Sequence, residues 1–332
     1  MAELVSILIP AYNAERWLGE AVQSALRQTW PSFEIIIVDD GSRDRTLQIA
    51  RSFESRIVKV VTQPNGGAAV ARNTAFRFAQ GSFIQWLDAD DLLDARKIEK
   101  QMQAAREISD PSVALSCPFG TFYHRIEKAA FVRTSLWRDL TPLEYFLIRF
   151  NENVHFQTDA WLVSRELTDA AGPWSDESPD DDGEYFCRVV ARSRGIRFVE
   201  ESRTYYRMGI NGSLHVKRST EALFALFASK VKCIKYLLSL EESARTRQAS
   251  VQLLQDWLPW FYPEHPDIVE QARQMARDLG GELNVPRLKW KYRPVEYLFG
   301  LESAVALSRS IPTLKSRLAA EWDRSIYMVR RQ

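Results

Sequence analysis

Residues 83 to 94 read FIQWLDADDLLD, an apolar run that ends with three carboxylates in four positions, Asp88, Asp90 and Asp91. Carboxylates that close together repel and raise one another's pKa unless a cation or a proton comes between them. Two local readings stay open. Aspartates one residue apart at a strand end suit a hard divalent cation such as Mg²⁺ or Mn²⁺, which keeps waters and takes further oxygen ligands from phosphates. Alternatively, DADDLLDARKIEK runs into a helix, and acids favour a helix's first turn.

Working outward from this strand, the first ~115 residues alternate β-branched runs with amphipathic stretches, the pattern of strands and helices around a parallel sheet. LVSILIP (4–10) reads as the first strand. From Glu15 a helix places Trp17, Leu18, Ala21, Val22, Ala25 and Leu26 on one face, with Asn13 as its expected cap. EIIIV (34–38) has the unbroken apolar run of a strand buried on both faces; the turn DDGSRDRT and a second helix, LQIARSF, follow it. RIVKVVT (56–62) is the third strand, and NGGAAVARN opens the third helix. Acids and glycines therefore gather where strands end, on the rim where open parallel sheets bind ligands.

Three further constellations fall on or near that rim. In Asp39-Asp40-Gly41-Ser42 a carboxylate is suited to accept hydrogen bonds from a nucleobase or ribose, although Asp, Gly and Ser also make ordinary turns. The Gly66-Gly67 pair precedes a helix bearing Arg72, which places a helix N-terminus and a guanidinium to meet an anion such as a diphosphate, although Gly-Gly also commonly opens an ordinary helix. In SPDDDGEYFCRVV, Asp180, Asp181 and Asp182 lead a helix. One of them is placed to act as a general base, or the three form an acidic first turn.

Taken together, VSILIPAYNAERWLGEAVQSALRQTWPSFEIIIVDDGSRDRT, NGGAAVARNTAF and WLDADD resemble the family 2 glycosyltransferases over roughly residues 3 to 215. The resemblance implies a GT-A fold: an α/β, Rossmann-like mixed sheet. It also implies a metal-dependent, inverting transferase that uses a nucleotide-diphosphate sugar. Pro10, Tyr12, Asp39 and Asp40 then fall to the nucleoside, with Asp40 as the base-reading carboxylate. Arg72 falls near the nucleotide, Asp88 and Asp90 form the DXD pair at the Mn²⁺ or Mg²⁺, and Asp182 is the catalytic base. The pair before the helix reads Asp181-Asp182 where the family has Glu-Asp, and Arg188 sits where the family has Arg. YYRMGINGSLH resembles the segment that closes over the diphosphate, which makes Tyr206, Arg207 and His215 second-rank candidates beside Asp91 and Asp181.

The remainder of the chain sets bounds. From about 112, SVALSCPFGTFYH and VHFQTDAWLVSREL read as strands, some of them antiparallel. After about 215 the pattern turns helical, with Leu223, Phe227, Val231, Ile234 and Leu238 on one face and a second amphipathic stretch, DIVEQARQMARDLG. The expected division is a catalytic domain, 1–215, and a C-terminal helical region, 216–332. Composition is ordinary for a globular protein, 45% hydrophobic and 26% charged among 332 residues, with a net charge of +1.

Residues 286–332 hold ten Lys or Arg against four Asp or Glu, about +6, interleaved with Trp290, Tyr292, Tyr297, Phe299 and Trp322. That tail fits either peripheral contact with an anionic membrane or a solvated helical face packed on the catalytic domain. The overall balance gives no broad basic field for nucleic acid. Three scattered cysteines fit a reducing cytoplasm, the N-terminus reads as a strand and not as a secretion signal, and no window is apolar enough to span a bilayer. The expected partners are the nucleotide-sugar donor and a saccharide or lipid-linked acceptor, in polysaccharide or glycolipid synthesis. A sugar nucleotidyltransferase is the second enzyme reading, but PAYNAERW stands where that class has a Gly-rich, basic loop. A third reading is an inactive nucleotide-sugar-binding subunit.

Overall fold

The computed structural model of the chain describes residues 2–175, 181–209, 219–285 and 290–330. Its centre is a five-stranded sheet built from β1 (Val5–Ala11), β2 (Phe33–Asp39), β3 (Val58–Thr62), β4 (Phe83–Trp86) and β9 (Val163–Ser164), in the order β3-β2-β1-β4-β9. The first four run parallel, and β9 closes the edge antiparallel to β4. Every residue of β1 is buried, and its period-two alternation divides the core. Val5, Ile7 and Ile9 pack with α1 (Leu18–Leu26) and α4 (Lys97–Ile108), while Leu8 packs on the opposite face with α3 (Ala68–Phe78) and α7 (Asp181–Arg192). The chain steps outward from β1 to β3 and then returns to place β4 on β1's other side. The switch point thus lies between the C-terminal ends of β1 and β4.

A second, four-stranded sheet brings distant segments to that switch point, in the order β5 (Leu92–Leu93), β11 (Thr204–Arg207), β7 (Phe119–Phe122), β8 (Ala130–Phe131). Because β5 follows the acids directly and pairs Leu92 with Tyr205, it draws β11 beside them. A parallel pair, β6 (Val113–Ser116) with β10 (Gly195–Phe198), is tied to the stretch before β9 through Leu115 and Leu162.

Several local expectations are corrected. Asn13 does not cap α1: it takes a left-handed φ of 49°, and its Oδ1 accepts from the Arg43 N–H at 2.9 Å, joining the loop after β1 to the loop after β2. The acids at 88–91 do not start a helix, since β5 intervenes and α4 begins only at Lys97. The stretch 154–167 is not a long strand. It holds a 3₁₀ turn at Thr158–Ala160, the short β9 and the start of α6 (Arg165–Ala171), where Ser164 Oγ accepts from the Leu167 N–H as a helix cap.

The C-terminal region is helical as expected, with α8 (Thr220–Leu240), α9 (Ala244–Phe261) and α10 (Pro266–Asp278) sharing one apolar cluster with α3 and α7. The domain boundary expected near 215 lies outside the described residues. Among these helices α9 had no counterpart in the sequence reading; its polar first half masks the apolar Leu253, Leu254, Leu258 and Phe261. The tail forms α11 (Arg293–Arg330), broken at Gly300, where φ is 82°. Its far end is fastened to the sheet-bearing half. Asp323 accepts from the backbone N–H groups of His124 and Arg125 and pairs with the Arg125 guanidinium at 2.6 Å, and the Tyr327 hydroxyl reaches Glu20 Oε1 at 3.2 Å.

Asp323→Ala removes three charge-assisted bonds from this latch. Amide hydrogen exchange across 320–327 is expected to rise at least about tenfold, with exchange in β1 and β2 unchanged.

Candidate active site

The site grows from the loops at the ends of β2, β3 and β4. Asp39 ends β2 opposite Ala11, and Asp40 follows it into the turn. Gly41 continues the turn at φ 69°, and a Cβ there would lie 2.8 Å from the Asn65 backbone nitrogen. Only glycine lets the two loops approach so closely. Across that contact the Asp40 carboxylate accepts four hydrogen bonds: from Gln63 Nε2 at 2.7 Å, Asn65 Nδ2 at 3.0 Å, and the N–H groups of Gly66 at 2.9 Å and Gly67 at 2.8 Å.

The expected base-reading carboxylate, Asp40, is held by these bonds within the protein. Its oxygens are engaged in shaping the glycine loop that opens α3, and the residue is buried. Its neighbour Asp39 is the carboxylate with capacity left. Asp39 Oδ2 accepts from Thr62 Oγ1 at 3.2 Å, while buried Oδ1 has no hydrogen-bond partner. Pro10 is buried in β1, and the Tyr12 ring, 47% exposed, stands just beyond the strand's end.

At the end of β4, Asp88 Oδ1 accepts from Arg72 Nη2 at 2.8 Å, and the buried Arg72 guanidinium lies 4.4 Å from the ring centroid of Trp174. Burial, then the charge on Asp88, pushes the Asp90 carboxyl up to about 6. Asp91 is fully buried, and its Oδ1 accepts from the Arg207 backbone N–H at 2.7 Å, so it fastens β11 to the acidic loop. Burial and the neighbouring carboxylates raise its pKa well above the ordinary range.

Arg207, expected within a closing segment, is instead part of the frame. It is buried, its Nε donates to the Asp90 carbonyl at 2.8 Å, its Nη2 meets Glu20 Oε2 at 2.8 Å, and its guanidinium lies over Trp17 and Phe122. Among the described residues no group of three or more His, Cys, Asp or Glu converges on one point that would hold a metal ion.

Asp182 sits in the first turn of α7, where its Oδ1 accepts from the Gly183 N–H at 2.8 Å. The helix is held in register from below. Glu184 accepts from Arg188 Nε at 3.0 Å and from the Tyr236 hydroxyl of α8 at 2.7 Å, and Arg188 Nη1 donates to the Ala171 carbonyl. Tyr206 links this end of the site to the other. Its hydroxyl pKa is raised first by burial and then by the charges of Asp91, Asp90, Asp88 and Asp182. Asp180, His215 and the side chain of Asp181 lie outside the described residues.

The sequence reading missed a buried layer behind the acids. Asp159 is fully buried; its Oδ2 accepts from Thr204 Oγ1, and its carboxyl is pushed up to about 7, chiefly by burial. Lys97, also fully buried, donates to Gln85 Oε1 and, at 3.1 Å, to the Trp161 carbonyl; burial brings its pKa down to about 8. The available signal was the lone acid in the apolar stretch around FQTDAWLV, which belongs in a core only with partners.

Known proteins resemble this chain in sequence and in fold. The model of the family described as glycosyl transferase family 2 matches residues 6–170. A glycosyltransferase of Rickettsia typhi, RT0329, is 36% identical over 130 residues, which are 39% of this chain and 41% of that protein. The Escherichia coli UDP-Glc:alpha-D-GlcNAc-diphosphoundecaprenol beta-1,3-glucosyltransferase WfgD is 42% identical over 100 residues, 30% of this chain and 40% of WfgD. The chain thus spans well under two thirds of the curated relatives it matches. Staphylococcus aureus TarS 1–349, solved in complex with UDP-GlcNAc, superposes with a TM-score of 0.60 at 18% identity, covering 88% of this chain and 91% of that one. The shared fold is GT-A.

The different duties of the two neighbouring acids are separable by urea unfolding. Asp40→Ala is expected to cost about 3 kcal/mol, because it leaves the loop amides without their charged acceptor, whereas Asp39→Ala costs at most about 1 kcal/mol.

Proposed function

Residues 6–170 match the model of glycosyl transferase family 2, and from that premise we propose that the chain is an inverting glycosyltransferase. It moves a sugar from a nucleotide-diphosphate sugar to an acceptor hydroxyl in the synthesis of cell-surface polysaccharide or glycolipid. The observation that carries the reading is the placement of β11: it is fastened beside the β4 acids through the Arg207 N–H and Asp91, and its Tyr206 lines the same cavity as Asp182. The names borne by WfgD's donor and acceptor support a nucleoside-diphosphate donor and a lipid-linked saccharide acceptor here.

In this reading Asp39 and Asp40, with Pro10 and Tyr12, border the nucleoside, and Asp40 also holds the loop. Arg72, fixed by Asp88 and Trp174, presents positive charge toward the diphosphate. The family implies a divalent cation, and the residues present fit one. Asp88 and Asp90 offer hard oxygen donors at one strand end, close enough that the charge of Asp88 adds to burial in raising the Asp90 pKa, and two protein carboxylates leave positions for waters and phosphate oxygens. When bound, Mg²⁺ or Mn²⁺ supplies charge against the departing diphosphate.

Asp182 takes the proton of the acceptor hydroxyl as its oxygen bonds to the anomeric carbon from the face opposite the diphosphate. The bond to the diphosphate oxygen breaks with its electron pair, so one displacement inverts the carbon. Glu184, Arg188 and Tyr236 hold α7 so that Asp182 keeps its place.

No helix among the described residues is long and apolar enough to cross a membrane. We place the protein at the inner face of the plasma membrane, with the tail as its point of contact. Trp290 is 82% and Tyr297 90% exposed, next to exposed Leu298 and Phe299 and beside Lys291 and Arg293. Exposed aromatics among cations suit the headgroup region of an anionic bilayer.

Asp182→Asn is expected to lower kcat by about 10³-fold or more while leaving donor affinity within about twofold; turnover near the wild-type rate would remove Asp182 as the base. Replacing Tyr297, Leu298 and Phe299 with Ser together is expected to abolish co-sedimentation with anionic liposomes. Unchanged binding by that variant would dispose of the membrane contact.

A further inference from the structure

The far end of α11 is seated against the elements that hold the acidic loop. Asp323 accepts from the N–H groups of His124 and Arg125, just after β7, and β7 is paired with β11. Gly209, two residues beyond Arg207, has a φ of 78°, and a Cβ there would lie 3.0 Å from the Ala320 Cβ, so the tail helix abuts the chain that leaves β11. Ala320, Asp323 and Tyr327 follow one another at three and four residues, which puts them on one face of the helix.

Arg207 is the junction between that face and the site. Its Nε donates to the Asp90 carbonyl at 2.8 Å and its backbone N–H to Asp91 Oδ1 at 2.7 Å, two bonds that fix the loop at the end of β4. Its guanidinium meets Glu20 Oε2 at 2.8 Å, but the two partners are unequally covered: the Arg207 side chain is 1% exposed and that of Glu20 35%. An ion pair weakens as water reaches it, so whatever covers Glu20 governs how firmly Arg207 is held. The Tyr327 hydroxyl, which donates to Glu20 Oε1 at 3.2 Å, is part of that cover. The His124 ring packs between Tyr327 and Trp17, with centroids 6.0 Å and 5.5 Å away, so the Tyr327 ring is held in place and its hydroxyl is the group that reaches Glu20.

We propose that Glu20 and Tyr327 are positioning residues for the donor site: the docked tail holds Arg207 against the loop that carries Asp88 and Asp90, and a nucleotide bound at that loop holds the tail in return. No contact between tail and nucleotide is needed. The coupling rests on the reading that the donor's nucleotide binds at the end of β4, whereas the restraint of the loop by the tail does not require a ligand. By linkage, the factor by which release of the tail weakens nucleotide binding equals the factor by which nucleotide strengthens docking.

The test compares the full chain with Tyr327→Phe, Glu20→Gln and Asp323→Ala, by calorimetry of UDP binding in Mn²⁺ and by amide exchange with and without UDP and Mn²⁺. Tyr327→Phe removes one hydroxyl and leaves the ring beside His124. UDP affinity is expected to fall at least about threefold in Tyr327→Phe and about tenfold in Glu20→Gln, and Tyr327→Phe is expected to add nothing further in the Glu20→Gln background. In the wild type, UDP with Mn²⁺ is expected to slow exchange across 320–327 at least about threefold. A latch that only adds stability would change neither quantity. UDP affinity unchanged by Tyr327→Phe, or tail exchange unchanged by UDP, overturns the coupling and leaves the donor reading standing. If the wild-type chain binds no UDP, the donor reading fails, and ligand-free exchange in Asp323→Ala decides whether the tail restrains the loop: faster exchange across 88–93 and 204–207 supports it, and wild-type exchange there overturns it.

Discussion

Four carboxylates, Asp88, Asp90, Asp91 and Asp159, crowd the end of one short strand, and the surrounding structure is organised to keep them there. Burial in a low-dielectric setting makes their mutual repulsion costly, and three basic side chains answer it from different directions. Arg72 meets Asp88 from α3, Arg207 of β11 donates its Nε to the Asp90 carbonyl and its backbone N–H to the Asp91 carboxylate, and Lys97 stands in the core behind with Asp159 close enough to affect its charge. Each cation is itself fixed, by Trp174, by Glu20 and Trp17, and by Gln85 and the Trp161 carbonyl. Without these supports the loop would have to protonate or open.

That constraint links the site to parts of the chain far from it. Glu20, which holds Arg207, also receives the Tyr327 hydroxyl from the far end of the tail helix. The tail's aromatic start and its latched end therefore belong to one helix, α11, with the break at Gly300 between them. On the opposite side, α7 carries Asp182 and is locked to α8 through Glu184 and Tyr236. The C-terminal helices thus complete the wall of the cavity beside Asp182 as well as covering the sheet.

Much of this was legible in the sequence. The unbroken apolar runs of β1 and β2 and the Gly-Gly start of α3 specify a parallel sheet, and the acids at its strand ends mark the rim. What stayed hidden were hydrogen bonds closed over long separations. Asp40 binds a loop 23 to 27 residues away, and Asp91 binds Arg207 at a separation of 116. In the sequence, adjacent aspartates look equivalent; only the folded loop shows that Asp40 accepts four hydrogen bonds while one buried oxygen of Asp39 accepts none. Asp159 was obscured for a similar reason. A 3₁₀ turn was read as strand, so its side chain had no assigned direction toward the acids.

The central claim is that the end of β4 is where a divalent cation joins the chain to its donor. Calorimetry of UDP binding to the full chain tests it most directly, comparing Mn²⁺ with EDTA and wild type with Asp90→Asn. The account predicts that UDP affinity falls at least about tenfold when EDTA replaces Mn²⁺, and that Asp90→Asn reproduces that loss in the presence of Mn²⁺. Equal UDP affinity under all these conditions would contradict it.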